Sequence, residues 1–192
     1  MGFKELLAAE FAPFGNLTGD QLDTLERHYK LLVHWNRRMN LTRIEKLEDA
    51  VRLHYCESLF VATKLPPGTL RIADIGSGAG FPGIPLAVLR PESSVDLVES
   101  HQRKAVFLRE AMSGLKNVRV ISDRAESVEA EYDWTVSRAV TPSEVLSLAI
   151  APKVAILMSA NDLDSLGHKS ISVESVPWTA GHVLAMFHVE PS

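Results

Sequence analysis

Asp74-Ile-Gly76-Ser-Gly78-Ala-Gly80-Phe81-Pro82-Gly83 is the stretch on which the reading of this chain turns. It follows the short apolar run LRIADIG (residues 70–76) and leads into IPLAVL, so it reads as a strand-to-helix turn. Glycines in such a turn let the backbone bend sharply and approach a ligand closely, where a Cβ would collide with it. A dinucleotide fingerprint, G-x-G-x-x-G, needs its third glycine at position 81, which is Phe. The spacing here is D-x-G-x-G-x-G, with the acid two places before the first glycine. A carboxylate there suits a ligand that ends in an ammonium group and carries no pyrophosphate. The amino-acid end of S-adenosylmethionine has that chemistry, which makes Asp74, Gly76, Gly78, Gly80 and Phe81 candidate cofactor-binding residues.

Downstream, Leu97-Val98-Glu99 ends the next apolar run, 23 residues beyond Gly76. An acid at a second strand end accepts both ribose hydroxyls through its two oxygens, as in dinucleotide sites. Ser122-Asp123-Arg124-Ala125-Glu126 follows the third run and offers a backbone amide or side chain to an adenine edge.

The runs themselves give the fold. LRIADIG (70–76), SVDLVES (94–100), NVRVIS (117–122), DWTVSRAV (133–140) and KVAILMS (153–159) alternate with helical segments such as Lys104 to Met112. That alternation predicts βαβ units and a mostly parallel sheet with helices on both faces. At the end, ISVESVPW and HVLAMFHVE are joined by Thr179-Ala-Gly181 and read as an antiparallel hairpin. Parallel strands closed by a terminal hairpin suit the Rossmann-like sheet of class I methyltransferases better than that of a dehydrogenase.

Residues 1–66 read instead as a helical extension, with 67–192 as the cofactor-binding domain. Thr18-Gly-Asp-Gln21 is a capping-box pattern, and Leu22, Leu25, Tyr29, Leu32 and Val33 then form an apolar stripe. A second helix is expected from Leu47 to Lys64, ended by Pro66-Pro67-Gly68, with Ala50, Val51, His54, Leu59 and Val61 toward the core. His54 and Glu57, three apart on one face of that helix, form either a surface pair or a link to the cofactor domain.

Composition sets the outer bounds. The 192 residues are 46% hydrophobic and 23% charged, enough for a core without disulfide or metal. One cysteine, Cys56, excludes an intramolecular disulfide and fits a reducing compartment. The N-terminus lacks the basic start of a signal peptide, no apolar stretch is long enough for a membrane span, and a cytoplasmic protein is expected. A net charge of −4 opposes nucleic-acid binding over the whole surface. Locally the sign reverses: between Arg27 and His54, seven basic residues face three acids. Arg37, Arg38 and Arg43 are therefore candidate phosphate contacts, with Arg103 and Lys104 after Glu99 as a second group. Trp35 suits core packing better than base stacking.

DIGSGAGFPGIPLAVL, together with WNRRMNLT (35–42), HYCESL (54–59), DRAE (123–126) and SRAV (137–140), resembles the glucose-inhibited division protein B family. The resemblance covers about residues 20–150, with an echo in the terminal FHVE. It implies a methyltransferase acting on guanine N7 of small-subunit (16S) ribosomal RNA, with a seven-stranded class I sheet behind a helical extension. It further implies S-adenosylmethionine contacts at Gly76, Phe81, Ala125, Glu126 and Arg138, with Glu99 as the ribose acid. The expected partner is small-subunit ribosomal RNA or the 30S subunit. A monomer is expected, with no metal, membrane or DNA partner. The chain departs from the family pattern at Glu57, where the family has Asp. It also departs after Arg138, where a Lys-Pro-Gly-Gly turn and a strand-end lysine are absent and Ser159 stands near the lysine's place.

Absent motifs agree with N7. Carbon methylation of cytosine needs a cysteine nucleophile, and Cys56 is far in sequence from the cofactor strands. Exocyclic-amine methylation uses an Asn/Asp-Pro-Pro-aromatic turn, and the fourth run leads into Ser137-Arg138-Ala139-Val140-Thr141-Pro142 instead. Guanine N7 carries an in-plane lone pair and no proton, so its methylation needs positioning and water exclusion but no general base. Arg138 is the candidate for that positioning. Two other readings stay open: a cofactor-binding protein that docks on ribosomal RNA without efficient transfer, and a nicotinamide oxidoreductase, disfavoured by Phe81.

Overall fold

The structure, a computed structural model, describes residues 1–44, 46–148, 150–167 and 170–189. Helix α1 (Phe3–Phe11) turns Phe3, Leu7 and Phe11 inward. Helix α2 (Gly19–Asn36) starts with the expected cap: the Gln21 N–H donates to Thr18 Oγ1 at 3.3 Å, and the Thr18 N–H donates to Gln21 Oε1 at 2.9 Å. Its inward face differs from the predicted stripe. Leu25 and Leu32 are buried, Val33 is 37% exposed, and His28, three residues after Leu25 and four before Leu32, takes the inward place.

The second expected helix runs from Leu47 to Lys64 in three stretches. These are α3 (Leu47–Ala50), a π-helical turn (Val51–Cys56) and α4 (Glu57–Lys64). Within the π-helical turn Val51, His54, Tyr55 and Cys56 are all buried.

Seven strands follow: β1 (Arg71–Ile75), β2 (Ser94–Val98), β3 (Val118–Ile121), β4 (Trp134–Arg138), β5 (Lys153–Ser159), β6 (Ser172–Ser175) and β7 (His182–His188). Their order is β3-β2-β1-β4-β5-β7-β6. The first five are parallel, and β7 runs antiparallel to both β5 and β6, which gives the expected terminal hairpin. Helices α5 (Gly83–Leu89), α6 (Gln102–Ala111) and α7 (Pro142–Leu148) connect successive parallel strands, and α8 (Ala160–Ser165) follows β5. Strand order reverses between β1 and β4, the switch point at which open α/β sheets bind ligands beyond their carboxyl ends.

Three details go beyond the sequence reading. Strands β2 and β4 stop at Val98 and Arg138, short of Ser100 and Val140; after β4 the backbone bends at Ala139, whose φ is +61°. Ser159 caps α8: its hydroxyl donates to Asp162 Oδ2 at 2.7 Å and accepts from the Asp162 N–H at 3.1 Å. The position near the family's lysine thus has a structural occupant. The change of texture at residue 66 does not divide the core, since Phe3, Tyr55 and Leu59 share one apolar cluster with Ile72, Leu97 and Leu157. Glu190, the last residue of the FHVE echo, lies outside the described residues. Among those described, no helix is long and apolar enough to cross a membrane.

Candidate functional site

A cleft in two adjoining parts opens at the carboxyl ends of β1, β2 and β4. One part, about 410 Å³, is lined by Gly76, Gly78, Phe81, Glu99, Lys104 and Arg138, together with Leu41, Thr42 and His54 from the helical extension. The other, about 420 Å³, is lined by Gly76, Val98, Asp123, Ala125, Glu126 and Glu144. Gly76 and Val140 line both. The structure therefore brings together most of the sequence-predicted cofactor residues, which are spread over 63 positions from Gly76 to Arg138.

The glycines of the turn divide into two groups. A Cβ on Gly76 would stand 2.3 Å from Val140 Cγ2, on Gly80 2.5 Å from Ile84 Cδ1, and on Gly83 2.3 Å from Leu97 Cδ2 and 2.6 Å from Asp74 Oδ2. Those three are required by packing of the protein against itself. Gly78 differs: a Cβ there meets only the Gly76 carbonyl oxygen, at 3.7 Å, so open space lies beside it at the cleft. Gly80 lines neither part of the cleft, and its place is against Ile84 and His28.

Glu99 is nearly buried and holds the turn in place. Its Oε2 accepts the Gly78 N–H at 2.9 Å and its Oε1 accepts the His101 N–H at 2.8 Å. Each carboxylate oxygen has a second lone pair, so two acceptor sites remain for hydroxyl donors in the cleft.

Asp74, a candidate for the ligand's ammonium group by its spacing, lies behind the lining of the cleft. It is fully buried outside both parts of the cleft, and its Oδ2 accepts the Gly83 N–H at 3.0 Å, pinning the start of α5. Its Oδ1 has no hydrogen-bond partner, and burial raises the carboxyl to about pH 7 against the pull of the Gly83 amide.

Sequence reasoning missed the parts that tie the extension to the turn. The Ala79 carbonyl only accepts, so His28 carries its proton on Nε2 and donates to it at 3.0 Å, while Nδ1 accepts from the Tyr55 hydroxyl at 2.8 Å. Burial lowers the His28 pKa to about 4. The signal for it was a histidine standing on an apolar helix stripe.

His54 does the same for the other wall. Arg138 Nη1 only donates, so His54 Nδ1 accepts from it at 2.9 Å and Nε2–H donates to Thr42 Oγ1 at 2.8 Å. Burial and then the Arg138 charge lower the His54 pKa to about 3, and the ring stacks on Phe81 with centroids 4.6 Å apart. Behind Arg138 lies Glu57, 1% exposed, with Oε2 3.7 Å from Nη2. His54 and Glu57 are thus a link to the strands and not a surface pair.

Of the five basic candidates, one reaches the cleft wall. Lys104 lines the cleft opposite Leu41 and Thr42, and Arg103 is exposed one residue before it on α6. Arg37, Arg38 and Arg43 are exposed on the loop after α2. Asn36 closes that loop, its side chain accepting the Thr42 N–H at 2.9 Å and donating to the Thr42 carbonyl at 3.0 Å. None of these five cations forms an ion pair among the described residues. Trp35 packs against Phe107 at 5.9 Å and donates to Glu110 at 3.0 Å, as expected of a packing residue. Cys56 is buried outside the cleft, and burial pushes its thiol up.

Comparison with known proteins gives the family. The model of the GidB family, described as rRNA small subunit methyltransferase G, matches residues 21–157. A ribosomal RNA small subunit methyltransferase G of Chromobacterium violaceum is 43% identical over 127 residues, covering 64% of this chain and 60% of that relative. The enzyme of the same name from Dichelobacter nodosus is 41% identical over 164 residues, covering 81% of this chain and 77% of the relative. Among solved structures, a SAM-dependent methyltransferase from Aquifex aeolicus matches with TM-score 0.54 at 18% identity, covering 72% of this chain and 92% of that one, a likeness of fold. With the family model matching residues 21–157 and a relative 41% identical over 164 residues, the chain belongs to the rRNA small subunit methyltransferase G family.

Proposed function

We propose that this chain transfers a methyl group from S-adenosylmethionine to guanine N7 in small-subunit ribosomal RNA. The cleft carries the reading: open space at Gly78 beside a nearly buried Glu99 with free lone pairs is a cradle for a ribose joined to a short polar chain. Ala125 and Glu126 then stand where an adenine would lie, and Phe81 and Arg138 beside the reacting end.

Held there by Gly78, Glu99, Ala125 and Glu126, S-adenosylmethionine would supply an electrophilic methyl to the N7 lone pair, with the C–S bonding pair left on sulfur and the positive charge on the guanine ring. The chain's own residues position the base and exclude water. Arg138 lines the cleft, and a guanidinium N–H there suits guanine O6. No proton has to be removed, which matches the side chains present. Both nitrogens of His54 are committed, and Glu99 is held by two backbone amides. The exposed Arg37, Arg38, Arg43 and Arg103 would meet phosphates of the RNA. In this reading the protein meets the small subunit in the cytoplasm and acts as a single chain.

Tritiated-methyl transfer to unmethylated small subunits, and separately to their extracted RNA, tests the proposal. Label recovered as 7-methylguanosine supports it. Cofactor binding without label in either substrate supports the docking protein without transfer.

A further inference from the structure

The cleft sets a cation beside a cation. Arg138 lines it at the switch point between β1 and β4, and the proposed cofactor brings a sulfonium to the same place. After transfer the charge is still there, on the methylated base. An arginine acting alone would repel the cofactor and the product alike.

Glu57 answers that problem from behind the wall. Its carboxylate is 1% exposed, and Oε1 accepts the Thr179 hydroxyl at 2.5 Å. The His182 Nδ1 stands 4.0 Å from the same oxygen, and Oε2 faces Arg138 Nη2 at 3.7 Å without a hydrogen bond. A buried ion pair contributes to stability when its geometry closes tightly and the remaining lone pairs are bonded. This pair has neither property. Arg138 gives its short bond, 2.9 Å, to the neutral ring of His54. The guanidinium is therefore aimed by an uncharged partner and balanced in charge by a carboxylate that does not pull it out of the cleft.

We propose that Glu57 is the counter-ion that cancels the charge of Arg138 toward the cofactor's sulfonium, and that His54 is the positioning residue that keeps the guanidinium in the cleft while this happens. The inference rests on the reading of the cleft as the S-adenosylmethionine site.

S-adenosylmethionine and S-adenosylhomocysteine differ only by the methyl group and the sulfonium charge, so the ratio of their dissociation constants isolates the electrostatics from every shared contact. Calorimetry on the full chain reads that ratio. In Glu57→Gln, which keeps the shape and the Thr179 bond, S-adenosylmethionine should lose affinity relative to S-adenosylhomocysteine by about fivefold or more, roughly 1 kcal/mol at about 1.4 kcal/mol per tenfold. Glu57→Asp retains the charge and should stay within about twofold of the unaltered ratio. Arg138→Gln leaves the carboxylate unopposed and should move the ratio the other way, which decides the matter even if Glu57→Gln does not fold. Equal weakening of both ligands in Glu57→Gln, or an unmoved ratio in Arg138→Gln, makes the pair a structural brace and overturns the inference. Failure of the unaltered chain to bind either ligand overturns the cofactor reading itself, and the inference with it.

Discussion

Gly78 and Gly83 lie five residues apart in one motif, yet the structure gives them opposite reasons for being glycine, and a pair of substitutions separates the two. Gly83 opens α5, and a Cβ there would lie 2.3 Å from Leu97 Cδ2 and 2.6 Å from Asp74 Oδ2. Gly83→Ala must push both aside and strain the 3.0 Å bond from its own N–H to Asp74. Overpacking of this kind costs about 1–3 kcal/mol, and weakening a hydrogen bond to a carboxyl adds about 1 kcal/mol. For a chain of this size each kcal/mol lowers the thermal midpoint by roughly 2–4 °C, so a fall of about 4–16 °C is expected. Gly78 has φ +56° and open space beside it. Asparagine tolerates that conformation, so Gly78→Asn should cost under about 1 kcal/mol and move the midpoint by less than about 4 °C. Its side chain would occupy the ligand's space, and S-adenosylmethionine affinity should fall by at least about tenfold, about 1.4 kcal/mol. Differential scanning fluorimetry and calorimetric titration read the two quantities. A Gly78→Asn protein that binds the cofactor normally would refute the assignment of the open space at Gly78 to the ligand.

The remaining predictions concern charge. Glu99→Gln offers one acceptor oxygen to two amides, so one of the Gly78 and His101 N–H groups loses a bond to a charged group; stability should fall by about 1.5–3 kcal/mol along with cofactor affinity, and an unchanged midpoint in a thermal melt would contradict this. Neutralising Arg37, Arg38 and Arg43 together should lower the slope of log affinity for ribosomal RNA against log salt by about 2–3, with cofactor affinity unchanged; an unaltered slope, measured by filter binding, shifts docking to Arg103 and Lys104. His28 and His54 are held near 4 and 3, below their ordinary 6.5, so between about pH 4 and 6.5 the unfolded chain binds their protons and stability rises with pH. Asp74, raised to about 7 from 3.8, binds a proton in the folded chain over the same window and makes stability fall with pH. Asp74→Asn should therefore steepen the rise by about one proton, near 1.4 kcal/mol per pH unit, in urea melts across that range; an unchanged slope would deny Asp74 its buried, protonated state.

How far the sequence could be read depended on whether the physics was local. The glycine turn, the Thr18–Gln21 cap and the alternation of apolar runs with helices are set by neighbours within a few residues, and they appear as expected. The terminal hairpin shows in the sequence for the same reason, through Thr179-Ala-Gly181. Glu99 lines the cleft because the strand ends in this kind of sheet converge there. Asp74 sits at the strand end that its spacing indicates, but spacing does not show that its carboxyl is buried against the Gly83 amide. The His28–Tyr55 link and the Glu57–Thr179 bond join residues 27 and 122 positions apart, and no pattern along the chain announces them. Val33 lay on a helical stripe yet is exposed, because the contacts that α2 makes are decided by the elements packed on it.

The central claim is that the cleft beyond β1, β2 and β4 is where S-adenosylmethionine is held. A crystal structure of the chain grown with S-adenosylhomocysteine tests it most directly. The account predicts ribose hydroxyls within hydrogen-bond distance of Glu99, adenine beside Ala125 and Glu126, the sulfur on the Arg138 side, and no contact with Asp74. A ligand bound anywhere else, or one whose ammonium reaches Asp74, would contradict it.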